Sequence, residues 1–194
     1  ELQYLQLLSK TFPTIADAST EIINLQAILN LPKGTEHFLA DIHGAYESFQ
    51  HVLKNASGNI KRKVNELFGN QIRDTELRDL CTLIYYPEQK LEMVKLVEED
   101  INDWYHITIH QLVTICRDVS SKYTRSKVRK SLPKEFSYII QELLHEHCDD
   151  IDKAGYVTAV IDSMIETDSA DDFIIAIAHV IQRLAIDRLH ILGD

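Results

Sequence analysis

Apolar side chains recur every three or four positions through most of this chain, which is the period of one helix face. Ile15, Ala18, Ile22, Leu25 and Leu29 form such a stripe, and Pro32 and Gly34 stop it. Between Pro87 and Pro133 there is no glycine or proline, and Val94, Val97, Ile101, Trp104, Thr108, Leu112 and Ile115 step by three and four. That run predicts one helix from Glu88 to about Ser121, ~50 Å long at 1.5 Å per residue, with a kink near Asn102 compatible with the pattern. Ser169 and Asp172 have capping-box spacing ahead of Ile174, Ile177, Ile181 and Leu184, another single face. Further helices are expected over 44–55, 59–68, 74–86, 134–147 and 153–166. No internal repeat interrupts this pattern.

Two short stretches read as strands instead, although on propensity alone the second could be the end of the preceding helix. Residues 36–40 run into Asp41, and residues 188–192 run into Gly193-Asp194. The expected fold is therefore mainly α with a minimal parallel β element. Few turns are expected, because the chain has only 6 Gly and 4 Pro, and 69–155 has glycine only at its two ends.

Composition narrows the class. A length of 194 residues fits one large domain or two small ones, and 45% hydrophobic content supports a sizeable core. The net charge of −10 argues against nucleic acid or an anionic membrane as a partner of the whole surface. No apolar run reaches the ~18 residues of a membrane span. Glu1 to Lys10 has neither the basic start nor the apolar centre of a signal peptide. Cys81, Cys116 and Cys148 are odd in number and widely spaced, so a cysteine framework is not expected and a reducing cytoplasm is the simplest location.

Candidate chemistry concentrates at Asp41-Ile42-His43-Gly44. In an extended turn after a strand, residues i and i+2 point the same way, so the Asp41 carboxylate and the His43 imidazole could share one ion. From the tetrapeptide alone a helix-capping turn is the favoured reading, because Asp-rich turns between strand and helix are common. Asp194 would lie beside Asp41 if the two strands pair in parallel, since ligands gather at the carboxyl ends of strands in open α/β sheets. Carboxylate with imidazole suits manganese, iron or zinc. A second candidate is the basic run Lys122, Arg125, Lys127, Arg129, Lys130 and Lys134, with no acid between Val119 and Lys134. It could hold a substrate or effector phosphate, or it is a solvated helix face. His106 and His110 have i, i+4 spacing but no glutamate between them, so they read as ordinary helix histidines. The run from His145 to Asp150 reads as a polar helix end.

Asp-x-His-Gly followed by a strand ending in Gly-Asp resembles the first two motifs of the calcineurin-like metallophosphoesterases. The segments TIADASTEIINLQAILNLPKGTEHFLADIHGAYESF, DWYHITIHQLV, SSKYTRSKVRKSLPKEFSYIIQELLHE and IDSMIETDSADDFIIAIAHVIQRLAIDRLHILGD resemble, more narrowly, the class III fructose-1,6-bisphosphatases. That resemblance implies a metal-dependent phosphoric monoester hydrolase of gluconeogenesis, converting fructose 1,6-bisphosphate to fructose 6-phosphate. It implies two metal ions, usually manganese, with Asp41 and His43 on one and Asp194 bridging both. It also implies further ligands on a longer chain, so the 194 residues alone are expected to be inactive.

Asp41 and Asp194 are 153 positions apart. A strand-helix-strand unit needs ~30 residues, which leaves roughly 120 for a helical insertion. The expected organisation is N-terminal helices and the first strand-helix over 1–56, the insertion over 57–187, and the second core strand over 188–194. A sugar bisphosphate is the expected partner, and a homo-oligomer is compatible with the sequence. The competing reading is a non-catalytic helical interaction or regulatory domain, with Asp41 and Asp194 as turn residues.

Overall fold

A computed structural model describes residues 1–145 and 151–193, with side chains over 1–145 and 155–193. The backbone divides into two units, Glu1–Lys33 and Gly34–Asp194. The first holds α1 (Leu2–Thr11) and α2 (Ile15–Ile28). Thr14 starts α2 with a full capping box: its hydroxyl accepts from Asp17 N at 3.1 Å, and Asp17 Oδ2 accepts from Thr14 N at 3.2 Å. Neither helix contributes a buried residue.

The second unit opens with β1 (Glu36–Leu39) and α3 (Tyr46–Asn55), and continues through one 3-10 turn (Ala56–Gly58). Then come α4 (Asn59–Phe68), α5 (Asp74–Tyr85), α6 (Pro87–Val97), α7 (Ile101–Ser120), α8 (Arg125–Ser131) and α9 (Ser137–His145). It closes with α10 (Ile151–Glu166), α11 (Ala170–Ala185) and β2 (Arg188–Ile191). The two strands pair in parallel, Glu36 to Arg188 through Leu39 to Ile191, as the sequence led one to expect. The chain is thus mainly α with one minimal parallel sheet.

α11 is the centre of the bundle. It packs chiefly on α7, with α5, α6 and α10 around it. Phe173, Ile174, Ile177 and Ile181 are completely buried, against Ile109, Leu112 and Ile115 of α7 in the same cluster. Each such side chain contributes about 1.5–3 kcal/mol on burial, so the bundle does not depend on the sheet for its core. Among the described residues no helix is long and apolar enough to cross a membrane.

The long helix expected over 88–121 is two helices. Glu98 is extended, and the Asp100 side chain caps α7 by accepting from Asp103 N at 3.0 Å. Glu98-Glu99-Asp100 places carboxylates where they oppose the dipole of α6 and complement that of α7, which favours a break. The apolar period runs across it because both helices feed one core; of the stripe residues, Val97 at the break is left 77% exposed. The cap expected at Ser169 also differs. Its hydroxyl turns to Thr167 O at 3.3 Å and makes no cap bond, because Asp168 is left-handed (φ 56°) and sends Ser169 N to Met164 O at 2.8 Å. Cys81 and Cys116 are buried free thiols, and burial pushes the Cys116 thiol up to about 12. Cys148 and the polar stretch 146–150 lie outside the described residues.

Candidate functional site

The sheet is placed by polar ties to the bundle. The last carbonyl of α11, at Ala185, accepts from the buried Asn59 amide at 3.0 Å and from Lys122 Nζ at 3.4 Å. Leu184 O accepts from Tyr123 OH at 3.0 Å. These side chains satisfy carbonyls that a helix end leaves open. Lys122 also donates to Thr35 Oγ1 at 3.1 Å, immediately before β1. Asp187, immediately before β2, pairs with Lys127 and donates its N–H to Thr35 O at 2.8 Å. Both strands therefore start from one knot at Thr35, Lys122 and Asp187. Gly34 belongs to it, since a Cβ there would stand 2.4 Å from the Asp187 side chain.

From that knot the strands run side by side, with Phe38 stacked on its partner His190 at 4.5 Å between ring centroids. His190 Nε2 is 3.0 Å from Glu36 Oε2. The ladder continues beyond the strands, Leu192 N donating to Leu39 O at 2.8 Å and Gly193 N to Ala40 O at 3.2 Å. Ala40 precedes Asp41, and Gly193 precedes Asp194. Asp194 itself lies outside the described residues.

After Ala40 the chain turns into α3. His43 Nε2 stands 3.6 Å from Asp41 Oδ2, with the His43 side chain 72% exposed and Asp41 36%. The extended turn expected here is not what brings them together. His43 (φ 49°) and Gly44 (φ 69°) are both left-handed, and Ala45 N closes the turn on Ile42 O at 2.9 Å. A left-handed histidine is uncommon and costs of order 1 kcal/mol. Two donors ~2.0–2.2 Å from one ion, at tetrahedral or octahedral angles, stand ~3–3.5 Å apart, so the Asp41–His43 pair fits a shared ion with small adjustment. Among the described residues no third His, Cys, Asp or Glu completes a set.

The basic run is not one patch. Lys122 and Lys127 turn toward the strand knot, with Lys127 Nζ also 4.1 Å from the Tyr123 ring centroid. Desolvation, and then the charge of Lys63, lowers the Lys122 pKa. Arg125 and Arg129 face a cavity on the other side of α8, and Lys130 is exposed. His106 is bound to Asp162 at 2.9 Å, an ordinary helix-to-helix contact. Sequence reading passed over Thr35 and Asp187, which carry no motif and are recognisable only once the strands are paired. It also passed over His37, whose Nδ1 lies 3.0 Å from Ser57 Oγ beside the left-handed Ala56-Ser57-Gly58 turn.

The sequence pattern of the family described as "Firmicute fructose-1,6-bisphosphatase" matches residues 3–194. Among curated proteins, the chain is 71% identical to a protein of Phocaeicola vulgatus named fructose-1,6-bisphosphatase class 3. It is 69% identical to one of the same name from Bacteroides thetaiotaomicron, and 64% to one from Clostridium beijerinckii. Each alignment covers 100% of this chain, but only 29% of the first two relatives and 30% of the third. No solved structure matches the chain.

Proposed function

Because this chain belongs to the Firmicute fructose-1,6-bisphosphatase family, we propose that its strand-end turn is one part of a two-metal phosphatase centre in the complete protein. The complete protein hydrolyses fructose 1,6-bisphosphate to fructose 6-phosphate and phosphate, a cytoplasmic step of gluconeogenesis. Asp41 and His43 would hold one manganese ion, and Asp194 would supply a further carboxylate to the metal pair. The helical segment 57–187 is an insertion in a phosphoesterase core whose first two strands are β1 and β2.

The observation that carries this reading is the 3.6 Å Asp41–His43 pair at the end of a parallel ladder that runs on to Ala40 and Gly193. When bound, the metal pair supplies an activated water and charge stabilisation for the phosphate in flight. The chain's own part is to hold the donors in position. The Thr35–Lys122–Asp187 knot fixes where both strands begin, and the left-handed His43-Gly44 turn folds the imidazole back over the Asp41 carboxylate. Asp41 and His43 are open to solvent, which suits a centre completed by other parts of the protein.

The test is Asp41→Asn in the complete protein. Turnover of fructose 1,6-bisphosphate should fall by about 100-fold or more, together with manganese affinity, while the helical circular dichroism is kept. Turnover equal to wild type would overturn the assignment. The 194-residue span alone should show little or no turnover with manganese, because three ligands divided between two ions leave most of the coordination to water.

A further inference from the structure

The basic residues that do not tie down the sheet surround a separate feature. A cavity of about 570 Å³ lies between the end of α7, α8 and the end of α9. Arg117, Arg125, Arg129, His145, Gln141 and Ser126 are among its lining residues, and no acidic side chain lines it among the described residues. In a chain of net charge −10, such a concentration of cationic groups around one concavity is unexpected from composition. We propose that this cavity is a binding site for a small phosphorylated or polycarboxylate anion, distinct from the strand-end turn.

Local structure explains why Arg125 and Arg129 are available. On α8, Arg125 and Arg129 are i, i+4 neighbours and share one face, whereas Lys127 projects from the opposite one. Lys127 is engaged with Asp187 and the Tyr123 ring. Neither the Arg125 nor the Arg129 guanidinium has a hydrogen-bond or ion-pair partner among the described residues, and both side chains line the cavity. Arg117 is the fixed wall. It donates from Nη2 to Leu143 O at 2.8 Å and from Nε to Leu144 O at 3.2 Å. These contacts cover the carbonyl end of α9, whose negative dipole would otherwise repel an anion. Ser126 and the Gln141 amide add neutral polar groups beside the charges. Two guanidinium forks on one helix face match the paired oxygens of phosphate or carboxylate. The volume admits a sugar phosphate or a small organic acid and is too small for a folded partner.

The site also has a route to the strand ends, because one seven-residue helix carries Arg125 and Arg129 on the cavity and Lys127 on Asp187, the residue before β2. An anion gripped by α8 therefore acts on the helix that anchors the second strand.

The test uses the complete protein stripped of metal and titrated with inorganic pyrophosphate at low salt by calorimetry. Saturable binding at one site is expected, and it should be unchanged in Asp41→Asn, which separates this site from the metal centre. Arg125→Gln with Arg129→Gln should weaken it about tenfold or more, because charge-assisted bonds are lost. Lys130→Gln, on the same helix but outside the cavity, should leave it unchanged. In the wild type, the His145 ring resonances should move as pyrophosphate is added, a readout that needs no variant to fold. Absence of binding, full binding by the double arginine variant, an equal loss in Lys130→Gln, or a still His145 ring would each overturn the proposal; binding at the metal centre only would be seen as loss in Asp41→Asn.

Discussion

α7 and α11 bury nine residues each, among them Phe173, Ile177, Ile109 and Leu112, whereas β1 and β2 bury none of their four. Phe38 and Ile191, on adjacent strands, are 62% and 52% exposed. The bundle holds its shape by apolar burial; the sheet beside it holds its register by backbone pairing and by polar ties to helix ends. The candidate chemistry sits on the sheet, and the structural investment sits in the helices. A strand pair this short is marginal by itself, so its order comes from Lys122, Asn59 and Lys127 reaching out of the bundle.

The contrast can be broken most severely from the bundle. Phe173→Ala removes a completely buried ring that meets Phe136 edge to face at 5.5 Å. It should cost about 3–5 kcal/mol in urea unfolding. A loss below 1 kcal/mol, on the order of a surface change, would show that α11 is not the centre of the core. Gly34→Val strikes the sheet instead. Its side chain would collide with Asp187 at the knot, costing up to about 3 kcal/mol and loosening β1 from β2. Amide exchange read by NMR should rise at Leu192 and Gly193, whose N–H groups pair with Leu39 and Ala40, while α11 amides stay protected.

Asn59→Ala leaves Ala185 O without its closest side-chain donor and should cost about 1–2 kcal/mol. Lys122 also reaches that carbonyl, at 3.4 Å, and so limits the loss. The smallest effect is one of pH. Desolvation in β1, and then the positive charge of Lys122, lowers the His37 pKa below its ordinary 6.5. The folded state thus favours the neutral ring. Its contribution is present above pH 6.5 and is lost as pH falls through the folded value, because the unfolded chain takes up the proton first. The melting temperature should drop slightly between pH 7.5 and 5.5, and His37→Gln should flatten that slope.

Most of the bundle was legible because amphipathic period survives in sequence wherever one helix face is buried: Ile174, Ile177, Ile181 and Leu184 are all in the core. The break at Glu98–Asp100 was hidden because both flanking helices pack on the same core, leaving the period unbroken, and only the acidic triplet marked it. α8 was not legible as a helix, since seven residues with six charged or hydroxyl side chains present no apolar stripe. The Asp41–His43 pairing was legible from spacing, but its mechanism was not, because a left-handed histidine leaves no signature in composition. The basic run was visible as charge, yet its division between the strand knot and the cavity depends on which side of α8 each residue occupies.

The proposed metal at the turn that ends β1 can be observed directly. The most direct measurement is anomalous diffraction at the manganese edge from crystals of the complete protein grown with manganese. The expected result is an anomalous peak within about 2.3 Å of both an Asp41 carboxylate oxygen and a His43 ring nitrogen. A fully occupied manganese peak elsewhere, with Asp41 and His43 left bare, would contradict the account.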